Sequence, residues 1–362
     1  MELGIKNGED CKMKNFLAEI LEQPQSLKDT LSFYDGNEGR KILSDLCGLV
    51  RKENFSRIVF TGMGSSFFVS YAASCLFNSM GIKSCALNTS ELLYYHYKLL
   101  SPETLLVCIS QSGESAEVVK LLGKIPSGIT CLGITNEVES TLAVKSKGIL
   151  LSVAGKEKLT STKTYTSTTL LSFMFGWAIA NQLDENKYDS INQMTAGFEQ
   201  MLGCHSELVT PVLDFLGDLN FIQFIGRGPL YSTALQSELM FKEAAKTSSS
   251  GALGGEFRHG PMEMVDSTFR SVLFAADGVT YSQSIKMASD IAKYDGKVVL
   301  LTNKDPQLNN PNIKPFVINQ PDEFLFSIQS IVPVQLMVNQ LALSRGFEPG
   351  DFVHGGKVTL AE

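Results

Sequence analysis

Four groups of residues in this 362-residue chain have types and spacing suited to chemistry. The first is Ser110-Gln111-Ser112-Gly113-Glu114-Ser115, lying between an apolar run and a stretch of helical spacing. It reads either as a serine-capped strand–helix turn or as an anion cradle. In a cradle, helix N-terminal N–H groups face the anion, serine hydroxyls add donors, and glycine lets the backbone come close. The second, Thr61-Gly62-Met63-Gly64-Ser65-Ser66, sets a GxG turn before two serines at a helix start and fits a plain turn or a phosphate loop. In the third, Leu159 precedes Thr160–Thr168, where seven of nine residues are Ser or Thr. That segment is an N-cap region or a further set of donors for a polyol or phosphate.

The fourth group is Glu243 with His259. Glu243 falls on a helical stretch, Tyr231–Lys246, and shares a face with Gln236 and Met240. A carboxylate among small and apolar neighbours has its pKa raised toward neutrality, which suits a general base. The alternative is a surface glutamate on an amphipathic helix, like Glu238, which pairs with Lys242 at i,i+4. His259 is one of four histidines (96, 205, 259, 354) and sits in a Gly- and Pro-bounded loop, Ser248–Pro261. It is a surface residue or a proton shuttle between a sugar's ring oxygen and anomeric hydroxyl.

These groups need elements to hold them. Leu105–Ile109 is an unbroken apolar run, as in a strand buried on both faces of a parallel sheet. Ile58–Phe60 and Thr130–Thr135 are further strands, each followed by helical spacing, so the region is a doubly wound α/β domain with its ligand site at the strand carboxyl ends. The pattern then recurs. Gly226 and Gly228 lie 164 residues after Gly62 and Gly64, Gly278 lies 165 after Gly113, and Thr302-Asn303 lies 167 after Thr135-Asn136. Three strands in the same order at a near-constant offset imply a tandem duplication. The second copy carries Ala275-Ala276-Asp277-Gly278 where the first has its serine loop, so one principal phosphate site per chain is expected, in the first copy. Residues 1–45 read as a polar helical arm that packs on the body or forms a dimer contact.

Composition narrows the partners. With 44% apolar and 19% charged residues the chain is globular with a sizeable core. A net charge of −7 without a basic block argues against nucleic acid or an anionic membrane surface. The N-terminus has no apolar signal core, and no run approaches the ~18 apolar residues of a membrane span. The seven cysteines (11, 47, 75, 85, 108, 131, 204) include no CxxC pair, and several sit in apolar runs as reduced core residues. A cytoplasmic location is expected, with neither metal nor cofactor.

Gly62-Met-Gly-Ser-Ser66, the Ser110–Ser115 loop and Ser161-Thr-Lys163, together with Glu243 and Gly255-Glu-Phe-Arg-His259-Gly-Pro261, resemble the sugar isomerase (SIS) domain family. The pairing is similar to the isomerase portion of glucosamine-6-phosphate synthase and its stand-alone relatives, over roughly residues 40–362. The resemblance implies two tandem flavodoxin-like domains, 46–195 and 196–345, behind the arm 1–45, with a tail, 346–362, closing over a sugar site. It implies that Ser66, Ser110, Gln111, Ser112 and Ser115 bind a sugar 6-phosphate, and that Leu159 (by its backbone) and Ser161 line the sugar. Glu243 would move a proton between C1 and C2, and His259 would open the ring, often from a neighbouring subunit, which makes the expected active unit a homodimer.

Departures sharpen this expectation. A short arm stands where the synthase has its glutaminase, so glutamine-driven amination is not expected. Met240 replaces a helix lysine three residues before the base. Lys357 stands one residue out of register with a C-terminal lysine that contacts the open-chain sugar, and His354 has no counterpart. The tail is similar to that of stand-alone phosphosugar isomerases, deaminases or deglycases. The competing class, a non-catalytic phosphosugar sensor, can keep the serine loop without Glu243 and His259; this chain has both.

Overall fold

The computed structural model describes residues 16–359. Among these residues ten strands form two sheets in which every pairing is parallel. The first holds β1 (Arg57–Gly62), β2 (Ser84–Asn88), β3 (Thr104–Ile109), β4 (Thr130–Thr135) and β5 (Gly148–Leu151), in the order β2-β1-β3-β4-β5. The second holds β6 (Phe221–Gly226), β7 (Ser248–Leu253), β8 (Arg270–Ala275), β9 (Lys297–Thr302) and β10 (Ile313–Val317), in the order β10-β9-β8-β6-β7. Read from β7, the second order repeats the first, the doubly wound arrangement whose chain direction reverses between β1 and β3 and between β6 and β8.

The central strands form because their runs of Val, Leu, Ile and Cys can be covered on both faces; β3 and β4 are buried along their whole length. The edge strands are shorter of apolar residues. Ser248–Leu253, expected as part of a loop, is β7, paired residue for residue with β6. Its Ser-Ser-Ser-Gly composition suits an edge covered on one side only.

Two helices join the halves. Ser65–Ser79 follows β1, Pro229–Ala244 follows β6, and they pack on each other with Tyr71 edge-on to Tyr231 at 5.2 Å. The Lys163–Ile179 helix is buried from Lys163 to Trp177 on every face, as befits a core helix. It therefore starts earlier than its apolar stretch and takes in most of the Thr/Ser-rich segment.

The described part of the arm consists of helices Phe16–Leu21, Gln23–Asp35 and Asn37–Glu53. Phe16, Ile20, Leu27 and Tyr34 are fully buried, and Gln23 hydrogen-bonds Gln335 of the second half, so the arm packs on the body. Helices Asn37–Glu53 and Glu185–Gly203 run continuously through residues 45–46 and 195–196. Glu323–Ser344 is long and apolar enough to cross a bilayer, yet it is mostly buried inside the molecule as a core helix. Cys11 lies outside the described residues; the other six cysteines are free thiols.

Candidate active site

The loops leaving β1 and β3 meet at the switch point of the first sheet. Gly62 is required there, because a Cβ on it would come within 2.6 Å of the Ser66 backbone. Gly64 turns the chain with φ 51° and ψ −127°, a region open to glycine. The helix beginning at Ser65 is thereby aimed into the crevice.

The Ser110–Ser115 loop is held from behind. Asn136 N–H donates to the Gln111 carbonyl at 3.0 Å, and Thr141 donates its hydroxyl to Glu114 at 2.9 Å and its N–H to the same carboxylate. Glu114 is therefore a brace and not a ligand. Ser110 Oγ accepts the Gly113 N–H at 3.1 Å and Ser112 Oγ the Glu114 N–H at 3.2 Å. With that acceptor role used within the loop, each hydroxyl hydrogen is free to donate outward. Ser115 precedes the Ala116–Lys124 helix and makes no side-chain cap, which leaves its hydroxyl available as well.

These groups line one cavity of about 280 Å³, near the small end of ligand pockets. Ser66, Ser110, Gln111, Ser112, Ser115, Leu159, Ser161, Glu243 and Lys357 all reach it. His259 does not: it is exposed on the loop after β7, away from the cavity of its own chain. A larger groove of about 1110 Å³ lies between the arm and the Glu185–Gly203 helix. Arg40 is paired there with Asp35, Arg51 hydrogen-bonds the Asn181 side chain at 2.7 Å, and no residue at a strand carboxyl end lines it. The smaller cavity is the better site for chemistry.

Glu243 and Leu239 come to the cavity from the second half, on the Pro229–Ala244 helix. Burial raises the Glu243 carboxyl above its usual range; the Thr160 hydroxyl and the Lys357 and Lys246 ammonium groups pull it back only in part. Met240 is fully buried and does not line the cavity. Glu238 does more than pair with Lys242, since its carboxylate also takes the Gly251 N–H of β7 at 2.8 Å.

Of the Thr/Ser-rich segment, only Thr160 and Ser161 line the cavity. Thr162 and Thr164 give their hydroxyls to Glu157, and Thr166 bonds within the helix and to Gln23, so these donors are not available to a ligand. The tail crosses the opening with Phe352, Gly356, Lys357 and Thr359. Lys357 pairs with Glu157, which is completely buried. Burial pushes the Glu157 carboxyl up, but Lys357 and the Thr162 and Thr164 donors outweigh it and hold the group below its usual range. Glu19, from the arm, accepts the Lys158 and Leu159 N–H groups and so fixes the backbone that lines the cavity. Burial raises its pKa. Sequence reading missed Glu157 and Glu19 because Lys156-Glu157-Lys158 looks like a solvated charge run and Glu19 like an outward residue of a polar helix. Among the described residues, no three His, Cys, Asp or Glu side chains group as a metal site.

Comparison with known proteins places this architecture. The SIS domain model matches residues 50–181 and 217–345. A glutamine–fructose-6-phosphate aminotransferase (isomerizing) of Pyrococcus horikoshii is 29% identical over 96% of this chain, which spans 57% of that relative's length. The C-terminal domain of glucosamine-fructose-6-phosphate aminotransferase from Francisella tularensis superposes with a TM-score of 0.85 at 22% identity, covering 95% of this chain and all of that one. A tagatose-6-phosphate ketose/aldose isomerase from Escherichia coli gives 0.79 at 19% identity, covering 96% and 98%. Two matches in one chain, on two sheets of the same strand order, show that it belongs to the SIS domain family, as a tandem pair of the domain.

Proposed function

We propose that this chain is an aldose–ketose isomerase-type enzyme acting on a 6-phosphorylated hexose that carries nitrogen, with hydrolytic loss of the amine. The observation that carries the reading is one cavity in which a carboxylate of raised pKa, Glu243, stands with the outward-donating hydroxyls of Ser110, Ser112 and Ser115. The hydroxyls and the Ala116–Lys124 helix start hold the phosphate. Glu243 takes the proton from one of two adjacent carbons and returns it to the other, through an enediol or enamine. With an amine at C2 this gives a 2-imine, to which water adds and from which ammonia leaves.

Ring opening falls to His259. It lies outside its own chain's cavity, so the reading requires a second copy to present it. Mixing Glu243→Gln with His259→Ala chains tests this: recovered turnover supports a shared site, and none rejects it.

The direct test is incubation with glucosamine 6-phosphate, assaying ammonia and fructose 6-phosphate. Release by the wild type and not by Glu243→Gln supports a deaminase using this base. Thermal stabilisation without ammonia redirects the reading to another phosphosugar, such as an Amadori compound or a simple ketose. If the protein shows neither ammonia release nor stabilisation, the phosphate site is rejected.

A further inference from the structure

An ammonium group has three N–H donors, and Lys357 uses all three within the protein. One goes to Glu157, one to the Leu159 carbonyl at 2.8 Å and one to Ser161 Oγ at 3.2 Å. Glu157 is just as fully engaged. Its Oε1 accepts from Thr162 N–H (2.8 Å), the Thr162 hydroxyl (3.1 Å) and Thr164 N–H (3.2 Å), and its Oε2 accepts from the Thr164 hydroxyl (2.5 Å) beside Lys357. The carboxylate sits at the start of the Lys163–Ile179 helix, where the macrodipole also favours negative charge. Two further tail contacts use backbone carbonyls: Asp351 accepts from Lys246 at 2.7 Å and Thr359 from Ala116 N–H at 3.1 Å.

We propose that Glu157 is a positioning residue: through Lys357 it anchors the C-terminal tail over the cavity, and Lys357 is an anchor before it is a ligand. In this arrangement Lys357 has no proton left for a sugar. Contact with a sugar oxygen exchanges Ser161 Oγ or the Leu159 carbonyl for it, while the pair with Glu157 stays. Thr359 adds a consequence. Its carbonyl occupies the first N–H of the helix that faces the phosphate, so the tail and the cradle are set together. The effect on binding rests on the phosphosugar reading; the anchoring needs no substrate.

The Lys357–Val358 bond reports the tail directly, because trypsin cuts after lysines that reach it and cutting tracks the open population. Release of the 358–362 peptide from the full chain is followed by mass spectrometry. Glu157→Gln keeps the shape and, at Oε1, the acceptor for the two Thr162 donors and the Thr164 N–H, but it loses the charge and puts an amide donor where Oε2 takes Lys357 and the Thr164 hydroxyl. It is expected to speed release about 10-fold with little change in Tm, and to weaken fructose 6-phosphate binding by a similar factor. Should Glu157→Gln not fold, hydrogen exchange at residues 350–359 in Lys357→Met replaces it, with faster exchange expected there and rescue in Lys357→Arg. Unchanged release and exchange in these variants overturn the anchor. A loosened tail in Lys357→Arg equal to that in Lys357→Met overturns the role of the charge. If wild type binds no fructose 6-phosphate, the phosphosugar reading is what fails, and tryptic release still decides the anchor.

Discussion

The two switch-point crevices share a backbone and differ in chemistry. Gly64 and Gly228 adopt nearly the same conformation, φ 51° and ψ −127° against φ 54° and ψ −134°. Gly62 and Gly226 are each pressed against the first turn of the following helix, so closely that a Cβ would clash. The first crevice then offers serine hydroxyls. The second offers Ala275, Ala276 and Asp277, the last paired with Lys304 at 2.6 Å, and admits the Glu323 carboxylate within 3.1 Å of where a Cβ on Gly278 would lie. Burial raises the Glu323 pKa, and Asp322 adds to the rise. Topology thus sets the shape of both crevices, and a few side chains decide which one suits an anion. The exchange of helices between the halves is equally unequal. Pro229–Ala244 brings Glu243 to the first crevice, whereas Cys75, 164 residues before Leu239, feels the charge of Glu323 at the second, its thiol pushed up to about 11 chiefly by burial.

The largest effect that separates the crevices belongs to the base. Glu243→Gln is expected to lower kcat by roughly 10²–10⁴-fold, the usual worth of a positioned general base, with phosphosugar binding retained in calorimetry. A base works when ionised, so kcat/KM falls as pH drops through the raised pKa of Glu243. The acid limb therefore lies above the ordinary glutamate value of 4.5, and Glu243→Gln has no such limb. Next in size is the cradle. Ser112→Ala removes a donor to a charged group and weakens phosphosugar binding roughly 10-fold or more. Ser112→Asp, which gives the first crevice the chemistry of the second, abolishes it. Equal binding by Ser112→Asp would mean the phosphate lies elsewhere.

The sequence shows the central strands of both sheets, because a strand covered on two faces must be a continuous apolar run. It hides β2, β5, β7 and β10 for the converse reason: β7 reads Ser-Ser-Ser-Gly-Ala-Leu and is indistinguishable from a loop until β6 pairs with it. The offset of about 164 residues made the duplication legible and, with it, the loss of the serine loop. The serine cradle was legible as spacing, since all its donors come from one loop and one helix start. Glu157 and Glu19 were not, because their significance lies in contacts over long sequence distances, 200 residues from Glu157 to Lys357 and about 140 from Glu19 to the Leu159 backbone. Burial turns such residues from solvated charges into fixed parts of the site.

Two smaller effects sharpen the comparison. Gly64→Ala and Gly228→Ala force the same unfavourable conformation, so each is expected to cost about 1–3 kcal/mol in denaturant unfolding. Only Gly64→Ala should also weaken phosphosugar binding. Equal loss of binding in both variants would reject the assignment of the phosphate to the first crevice alone.

Glu323→Gln has the smallest effect and the clearest sign. A carboxyl whose pKa is raised on folding binds its proton more tightly in the native state, so the stability it contributes is present below the unfolded pKa and is lost as pH rises through the folded one. Replacing it with glutamine removes that loss. Because Glu323 is only partly buried, solvent screening discounts the gain, and a rise in Tm of about 1–2 °C at pH 7 is expected, vanishing toward pH 4. A fall in Tm at pH 7 would instead show that the carboxylate is stabilising where it sits. Neutralising Glu323 does not create a second cradle, since Ala275 and Ala276 offer no hydroxyls, so calorimetry on Glu323→Gln should still find one phosphosugar per chain. A second bound equivalent would mean that the carboxylate, and not the missing serines, is what closes the second crevice.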